Sequence, residues 1–283
     1  MPTGSGRRPK SRAKGSTRKS FETKLRWRLG PGIEAQTPRI ALTYADLTTS
    51  DPNPVKRWIQ GRRLSDALRF VRDTDAAEGA RILDFGSGNG ELVRRIAKKC
   101  ERPIQAWVYE PSPMRMTEAR RNLEGLGGVS FVTGTTSIES GSFDSVFCLE
   151  VLEHLPPAEM RAACEEIHRL VKSRGVVVVG VPHELFLPAL VKGIFRMFRR
   201  YGAFDATPRN VLAAVTGRPP LVRPAYRSEA GLMLHGEHLG FDFRTLKDTL
   251  CQHFVLERMW FSPFPWLGSA FNFEVYFLAR KKD

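Results

Sequence analysis

Residues 80–92 read ARILDFGSGNGEL, and this stretch decides the fold. Its first half, Ala80–Phe85, is a short apolar run that ends in glycines, as a buried strand does. Its second half is a glycine turn, Gly86-Ser-Gly-Asn-Gly90, leading into a helical segment, ELVRRIAKK, at 91–99. Strand, glycine loop and helix in that order put a ligand crevice at the strand's carboxyl end, where glycines let the backbone approach a ligand closely. No Gly-Lys-Ser/Thr follows, which disfavours a nucleoside triphosphate. The loop also departs from the dinucleotide pattern GxGxxG, because Leu92 stands near where a third glycine or alanine would fall. Asp84 ends the strand, ready to accept a hydrogen bond from a ligand amine. Twenty residues past Gly90, Glu110 closes the next strand-like run, and a carboxylate there binds both hydroxyls of a ribose.

The same alternation continues outward. Helices are expected over 56–72, 91–99, 114–124 and 157–172, and strands over 80–85, 104–110, 129–133, 143–149 and 175–180. Trp58, Ile59, Leu64, Leu68 and Val71 lie near one face of the first helix. Near-continuous Val/Ile/Leu runs between helices indicate a parallel sheet covered on both sides. Two further strand-like runs, 254–261 and 273–279, flank SPFPWLGSAFN at 262–272 and predict an antiparallel pair at the end of the sheet.

The 283 residues carry a net charge of +14, with 42% hydrophobic and 26% charged residues. That composition excludes disordered, collagenous and disulfide-scaffold classes. No apolar run reaches the ~18 residues of a spanning helix. Cys100, Cys148, Cys164 and Cys251 form no CxxC pair, which fits a reducing compartment. The charge is concentrated. Residues 1–28 hold ten Lys/Arg against Glu22, residues 185–228 hold eight against Asp205, and the remainder is near neutral at −2. The first twenty residues hold almost nothing apolar, and the 1–28 segment is expected to be a disordered basic tail without a secretory h-region. Both segments suit an anionic partner: a membrane surface, nucleic acid or an acidic substrate.

ILDFGSGNGEL (82–92), VYEPS (108–112) and FDSVFCLEVLEHL (143–155) resemble the three signatures of class I S-adenosylmethionine-dependent methyltransferases. The similarity is strongest to the branch that holds ubiquinone-biosynthesis O-methyltransferases and related small-molecule and lipid enzymes. It extends through LVKSRGVVVVGVPHE (170–184) and covers roughly 56–184 and 236–283. The resemblance implies a Rossmann-like, doubly wound α/β fold: a seven-stranded sheet with the last strand antiparallel. The methyltransferase domain would occupy 29–283, with a helical insert at 185–235 after the fifth strand. It also implies S-adenosylmethionine as cofactor and S-adenosylhomocysteine as product. Asp84, Gly86, Ser87 and Gly88 would surround the methionine part, with Glu150 near the reaction centre. Glu110 would hold the ribose, Pro111 and Met114 would lie beside the adenine, and Thr135 or Thr136 would serve where the family often has Asp.

Methyl transfer from a sulfonium is largely a matter of positioning, and a general base is needed only where the acceptor must lose a proton. His154, in Glu150-Val-Leu-Glu-His154, is the first candidate base, and His183 past the fifth strand is the second, expected to face the crevice. Glu150 stands beside them, Glu153 reads as structural, and His235 and His238 rank lower as groups that close the site from above. No ligand-like spacing of His, Asp and Glu is visible, so no metal is expected. In the insert, Leu185–Tyr201 reads as a basic amphipathic helix. Leu187, Leu190, Val191, Ile194, Phe195, Phe198 and Tyr201 fall on one face, with Lys192, Arg196, Arg199 and Arg200 toward the other. Such a helix suits a membrane interface or a lid. A short helix is expected near 209–215.

The sequence therefore points to methyl transfer onto a hydrophobic or membrane-borne small molecule, with oxygen the favoured acceptor atom. The expected location is the cytoplasm, peripheral at the inner face of a membrane. One competing reading is an rRNA or tRNA methyltransferase using the basic tail. It is weakened because Leu149-Glu150-Val151-Leu152 stands where base N-methylating enzymes carry Asn/Asp-Pro-Pro-aromatic. Another is a non-catalytic cofactor-binding scaffold at an anionic surface.

Overall fold

The computed structural model describes residues 54–70, 79–100 and 104–282. The basic tail at 1–28 and Val71 lie outside these residues. Helix α1 (Pro54–Ala67) runs into a 3-10 turn at Leu68–Phe70. Then follow β1 (Arg81–Phe85), α2 (Glu91–Lys99), β2 (Gln105–Tyr109), α3 (Pro113–Asn122), β3 (Val129–Val132) and β4 (Phe143–Leu149). A 3-10 turn (Leu152–His154) leads to α4 (Pro157–Leu170) and the long strand β5 (Val171–Pro182). The insert comprises α5 (Phe186–Arg200), a 3-10 turn, α6 (Pro208–Val215) and the hairpin strands β6 (Ala225–Arg227) and β7 (Met233–His235). Helix α7 (Phe243–His253), β8 (Phe254–Ser262) and β9 (Glu274–Lys281) complete the chain order.

The main sheet has seven strands in the order β3-β2-β1-β4-β5-β9-β8. Strands β1 to β5 pair in parallel, while β9 is antiparallel to both β5 and β8 and lies between them. This is the Rossmann-like architecture that the resemblance implies, last strand included.

Alternation along the strands builds two cores. Val177 and Val179 of β5 point to one face, where they meet Ile167 of α4 and Leu246 and Leu250 of α7. Val176 and Val178 point to the other, against Ala67 of α1 and Leu92 and Ile96 of α2. Both faces are therefore dry, which explains the unbroken valines. Helix α7 is absent from the sequence expectations, although Phe243, Leu246 and Leu250 keep helical spacing and Asp242 caps it by accepting the Arg244 amide at 2.9 Å.

The insert helix expected from sequence forms, with its large apolar side chains facing outward: Phe195 is 58% exposed and Phe198 87%. Its buried side consists of Pro188, Ala189 and Gly193. Gly193 lets α5 press against α6, since a Cβ there would lie 2.5 Å from Val211. Lys192 and Arg196 turn inward to the buried Glu184 at 3.0 and 2.8 Å, and Arg196 also meets the buried Asp205 at 3.2 Å. Burial pushes the Glu184 carboxyl up, but Lys192 and Arg196 override it and hold its pKa well below the usual range. Two of the four expected surface cations are thus part of the protein's interior. Trp58, on the apolar face of α1, is 52% exposed and lies against the ring of Phe264.

Candidate functional site

The carboxyl ends of β1, β4 and β5 open into a cleft of about 260 Å³. Its floor is the glycine loop. Gly86, Gly88 and Gly90 all have positive φ, the left-handed region that glycine enters without steric cost. The space is closed as well: a Cβ on Gly86 would come within 2.4 Å of the Val151 side chain. The amides of Gly86 and Ser87 donate to the Tyr109 carbonyl at 2.8 and 3.0 Å, tying the loop to the end of β2.

Glu110 completes that tie. Its carboxylate accepts from the Gly88 amide and the Ser112 amide, both at 2.9 Å. Burial raises its pKa, and the two amides and Arg115 oppose that rise. The buried Glu110 thus fixes the loop's shape. Each oxygen accepts one of these amides and retains a second lone pair for a ligand hydroxyl.

Asp84 is different. It is 3% exposed, and its Oδ2 has no hydrogen-bond partner. Burial, followed by the charge of Glu110, pushes its pKa up to about 8. An orphaned carboxyl at the cleft floor is costly unless a ligand supplies a donor. Ser87 Oγ and Glu150 Oε1 are likewise buried without partners, and both residues line the same cleft.

Glu150 adopts φ 57, a left-handed conformation that costs a non-glycine residue free energy. Its amide is held by the Gly180 carbonyl at 2.8 Å, and its carboxylate pairs with Arg63 of α1. Arg63 also meets Glu274 of β9 at 3.2 Å, so α1 is pinned across the cleft mouth. Nothing in the local sequence around Arg63 signals this role.

His154 lines the cleft, with Nδ1 2.8 Å from the His235 carbonyl. A carbonyl only accepts, so Nδ1 carries a proton, and in the neutral ring the lone pair is on Nε2. That Nε2 lies 3.4 Å from Nε2 of His238 and 3.6 Å from Oε1 of Glu153. Glu153 is fully buried, and neither of its carboxylate oxygens has a hydrogen-bond partner. Burial raises its pKa against the opposing influence of His154 and Arg63. The hairpin end of the insert reaches the same place, where Arg223 donates to the Glu153 carbonyl at 2.8 Å.

Of the residues singled out from sequence, Asp84, Gly86, Ser87, Glu150 and His154 meet in the cleft. His183 does not face it. Its side chain is wholly buried among Phe186, Phe243 and Phe261, with Nδ1 3.0 Å from the Asn272 carbonyl. Burial lowers its pKa, and it acts as a packing residue. Thr135 is buried with its carbonyl on Arg169 at 3.0 Å and its hydroxyl on Glu166, while Thr136 is exposed. Pro111 is half-buried and Met114 is 56% exposed at the start of α3. His238, ranked low from sequence, is a cleft residue.

Residues 82–175 match a family described as a methyltransferase domain. Ubiquinone biosynthesis O-methyltransferase from Hahella chejuensis is 35% identical over 108 residues, covering 35% of this chain and 43% of that protein. The enzyme of the same name from Xanthomonas campestris pv. campestris is 33% identical over 106 residues, with the same coverage. The chain thus spans less than half the length of these relatives. Among solved structures, magnesium protoporphyrin IX methyltransferase from Synechocystis PCC 6803 superposes with TM-score 0.53 at 16% identity, covering 94% of this chain and 95% of that one. Burkholderia thailandensis 1,6-didemethyltoxoflavin-N1-methyltransferase gives TM-score 0.51 at 16% identity, covering 96% and 94%. At that identity the two structures speak for the fold alone. Together with the glycine loop, the Asp84–Glu110 pair and the strand order, the family match makes residues 82–175 similar to the cofactor-binding part of class I S-adenosylmethionine-dependent methyltransferases.

Proposed function

We propose that the protein transfers a methyl group from S-adenosylmethionine to an oxygen of a hydrophobic, membrane-borne small molecule. The observation that carries the cofactor half is the set of buried, partnerless polar atoms of Asp84, Ser87 and Glu150 around one cleft. The residues fit the group. A methionyl ammonium satisfies Asp84, and a ribose diol finds the spare lone pairs of Glu110. When bound, S-adenosylmethionine supplies an activated methyl on a positively charged sulfur.

The chain's own contribution is positioning and exclusion of water. The Glu110 tie holds the glycine loop open at a fixed width. The strained Glu150 backbone aims its carboxylate into the cleft, and the Arg63 pair holds α1 above it. His154 offers the Nε2 lone pair toward which an acceptor proton is drawn.

The acceptor half of the reading rests on the outward face of α5. Leu190, Val191, Ile194, Phe195, Phe198 and Tyr201 form an exposed apolar stripe, as expected of a helix lying in a lipid interface. The O-methyltransferase names of the two relatives agree with an oxygen acceptor. Among the described residues no helix is long and apolar enough to cross a membrane, so attachment would be peripheral. An electrostatic grip from α5 is weaker than its sequence suggests, because Lys192 and Arg196 are bound to Glu184.

The test is calorimetric binding of S-adenosylhomocysteine to the full chain, followed by incorporation of radiolabelled methyl into the organic extract of a membrane fraction. Micromolar binding and label in the extract support both halves. Absent binding overturns the cofactor assignment, and label confined to the nucleic-acid fraction replaces the acceptor class.

A further inference from the structure

One residue of the insert holds both histidines of the cleft. Arg223, just before the β6–β7 hairpin, donates from Nη1 to the Glu153 carbonyl at 2.8 Å and from Nη2 to the Glu237 carbonyl. Glu153 directly precedes His154, and Glu237 directly precedes His238. A single planar guanidinium therefore sets the spacing of the two backbone segments that carry the facing rings. We infer that Arg223 is a positioning residue for methyl transfer, holding His154 and His238 in register inside the cleft.

The ring pair is sensitive to that spacing. Its centroids lie 4.9 Å apart, edge to face, with Nε2 to Nε2 at 3.4 Å. Since His154 Nδ1 donates to the His235 carbonyl, in neutral rings the His154 Nε2 accepts and the His238 Nε2 carries the hydrogen. A hydrogen bond this long does not survive further separation. The same contacts close a circuit, because His235 places its own Nδ1 2.9 Å from the carbonyl of Pro224, the neighbour of Arg223. The turn after β4 and the hairpin are thus tied to each other at Arg223–Pro224 and at His154–His235. The arginine stem has a prepared seat as well. Gly240 has φ +95, and a Cβ there would lie 2.7 Å from Arg223 Cγ, so the stem runs over bare backbone.

Burial lowers the Arg223 pKa to about 10, opposed by the charges of Glu153, Glu184 and Glu237, so the guanidinium stays charged at neutral pH. Its Nε is buried without a hydrogen-bond partner, a cost that the two Nη contacts must offset. A staple serving stability alone needs no such coincidence with the residues before both rings. The inference deepens the proposed function and rests on it for the methyl-transfer readout, whereas the ring geometry stands on the protein's own residues.

The test compares the full chain with Arg223→Lys and Arg223→Gln, taking Arg227→Lys on the exposed strand β6 as control. Lysine keeps the charge but brings one nitrogen where two set the spacing. Transfer of radiolabelled methyl into the organic extract of a membrane fraction should fall about 100-fold in both Arg223 variants, with S-adenosylhomocysteine affinity within about threefold of wild type. Arg227→Lys should keep both. Proton–nitrogen NMR of the imidazoles, at a pH where the rings are neutral, reads the geometry directly. The wild type should carry hydrogen on Nδ1 of His154 and on Nε2 of His238. Both Arg223 variants should shift these ring signals and leave those of His183 in place. Full transfer by Arg223→Lys, unmoved His154 and His238 signals in the folded variants, or a wild-type His154 with hydrogen on Nε2 would each overturn the role. Should both variants unfold, hydrogen exchange at the wild-type Arg223 Nη groups decides: slowed exchange supports the clamp and free exchange overturns it. If the wild type binds no S-adenosylhomocysteine and transfers no methyl, the proposed function fails, and the ring signals alone decide whether Arg223 holds the pair.

Discussion

The glycine loop and the insert are built on opposite plans. Around Asp84 the fold leaves carboxyl and hydroxyl groups buried without partners, and the backbone is fixed by amide bonds to Tyr109 and Glu110. Beside and within the insert the buried carboxylates are ion-paired: Glu184 with Lys192 and Arg196, and Asp205 through Oδ2 with Arg196 and Arg200, although Asp205 Oδ1 has no hydrogen-bond partner. What the insert chiefly leaves uncovered is apolar, the outward face of α5. One region spends its unsatisfied groups on a polar ligand, the other on something greasy. The difference teaches that a partly satisfied interior and a partly covered exterior are two forms of the same signal.

The comparison can be broken most forcefully at Glu184. Replacing it by Gln leaves Lys192 without its anion and Arg196 with Asp205 only, and about 3–5 kcal/mol of stability should be lost. A chemical denaturation curve measures this. If the two regions are independent, S-adenosylhomocysteine affinity should change less than threefold. Asp84→Asn should do the reverse. Loss of a charged hydrogen-bond acceptor costs about 2–3 kcal/mol of binding, read by calorimetry, while the melting temperature holds or rises because a buried carboxyl has been neutralised. Gly193→Leu forces a side chain into Val211. It should cost about 1–3 kcal/mol by overpacking, visible as a lower melting temperature.

A smaller effect concerns pH. The Asp84 pKa stands at about 8 in the free protein. A cationic ligand group prefers the ionised form, so binding expels this proton below that pH. Affinity for S-adenosylhomocysteine should therefore rise from pH 6 toward pH 8, by at most about tenfold per unit, and then level off. The Asp84→Asn variant should lack this slope. Smallest in stability is Phe198→Ser, expected within about 0.5 kcal/mol of wild type because the ring is exposed. Sedimentation with liposomes should nonetheless show weaker partitioning. An unchanged partition would separate the apolar stripe from any membrane role.

Legibility in the sequence followed the range of the interactions. The glycine loop, its helix and the acid at the next strand end lie within thirty residues, so their spacing carries them. Strands β1, β4 and β8 were readable from apolar runs, and β9 paired as the antiparallel expectation required. The orientation of α5 was not readable, because amphipathicity identifies two faces and only the buried Glu184 settles which one turns inward. Strands β6 and β7 have three residues each, too short for any periodicity. Arg63 reaches Glu150 from a separate helix, and His238 reaches His154 across 84 residues, so neither spacing resembles a motif.

The position of β9 has a consequence for synthesis. Strand β8 precedes it in the chain but borders only β9 in the sheet. On a ribosome, β1 to β5 can assemble as they emerge, whereas β8 waits with both edges open until β9 has been translated. During that interval the Phe254–Ser262 strand is an uncapped template for a neighbouring nascent chain. A translational pause between the codons for Ser262 and Glu274 should therefore raise aggregation more than an equal pause earlier in the message.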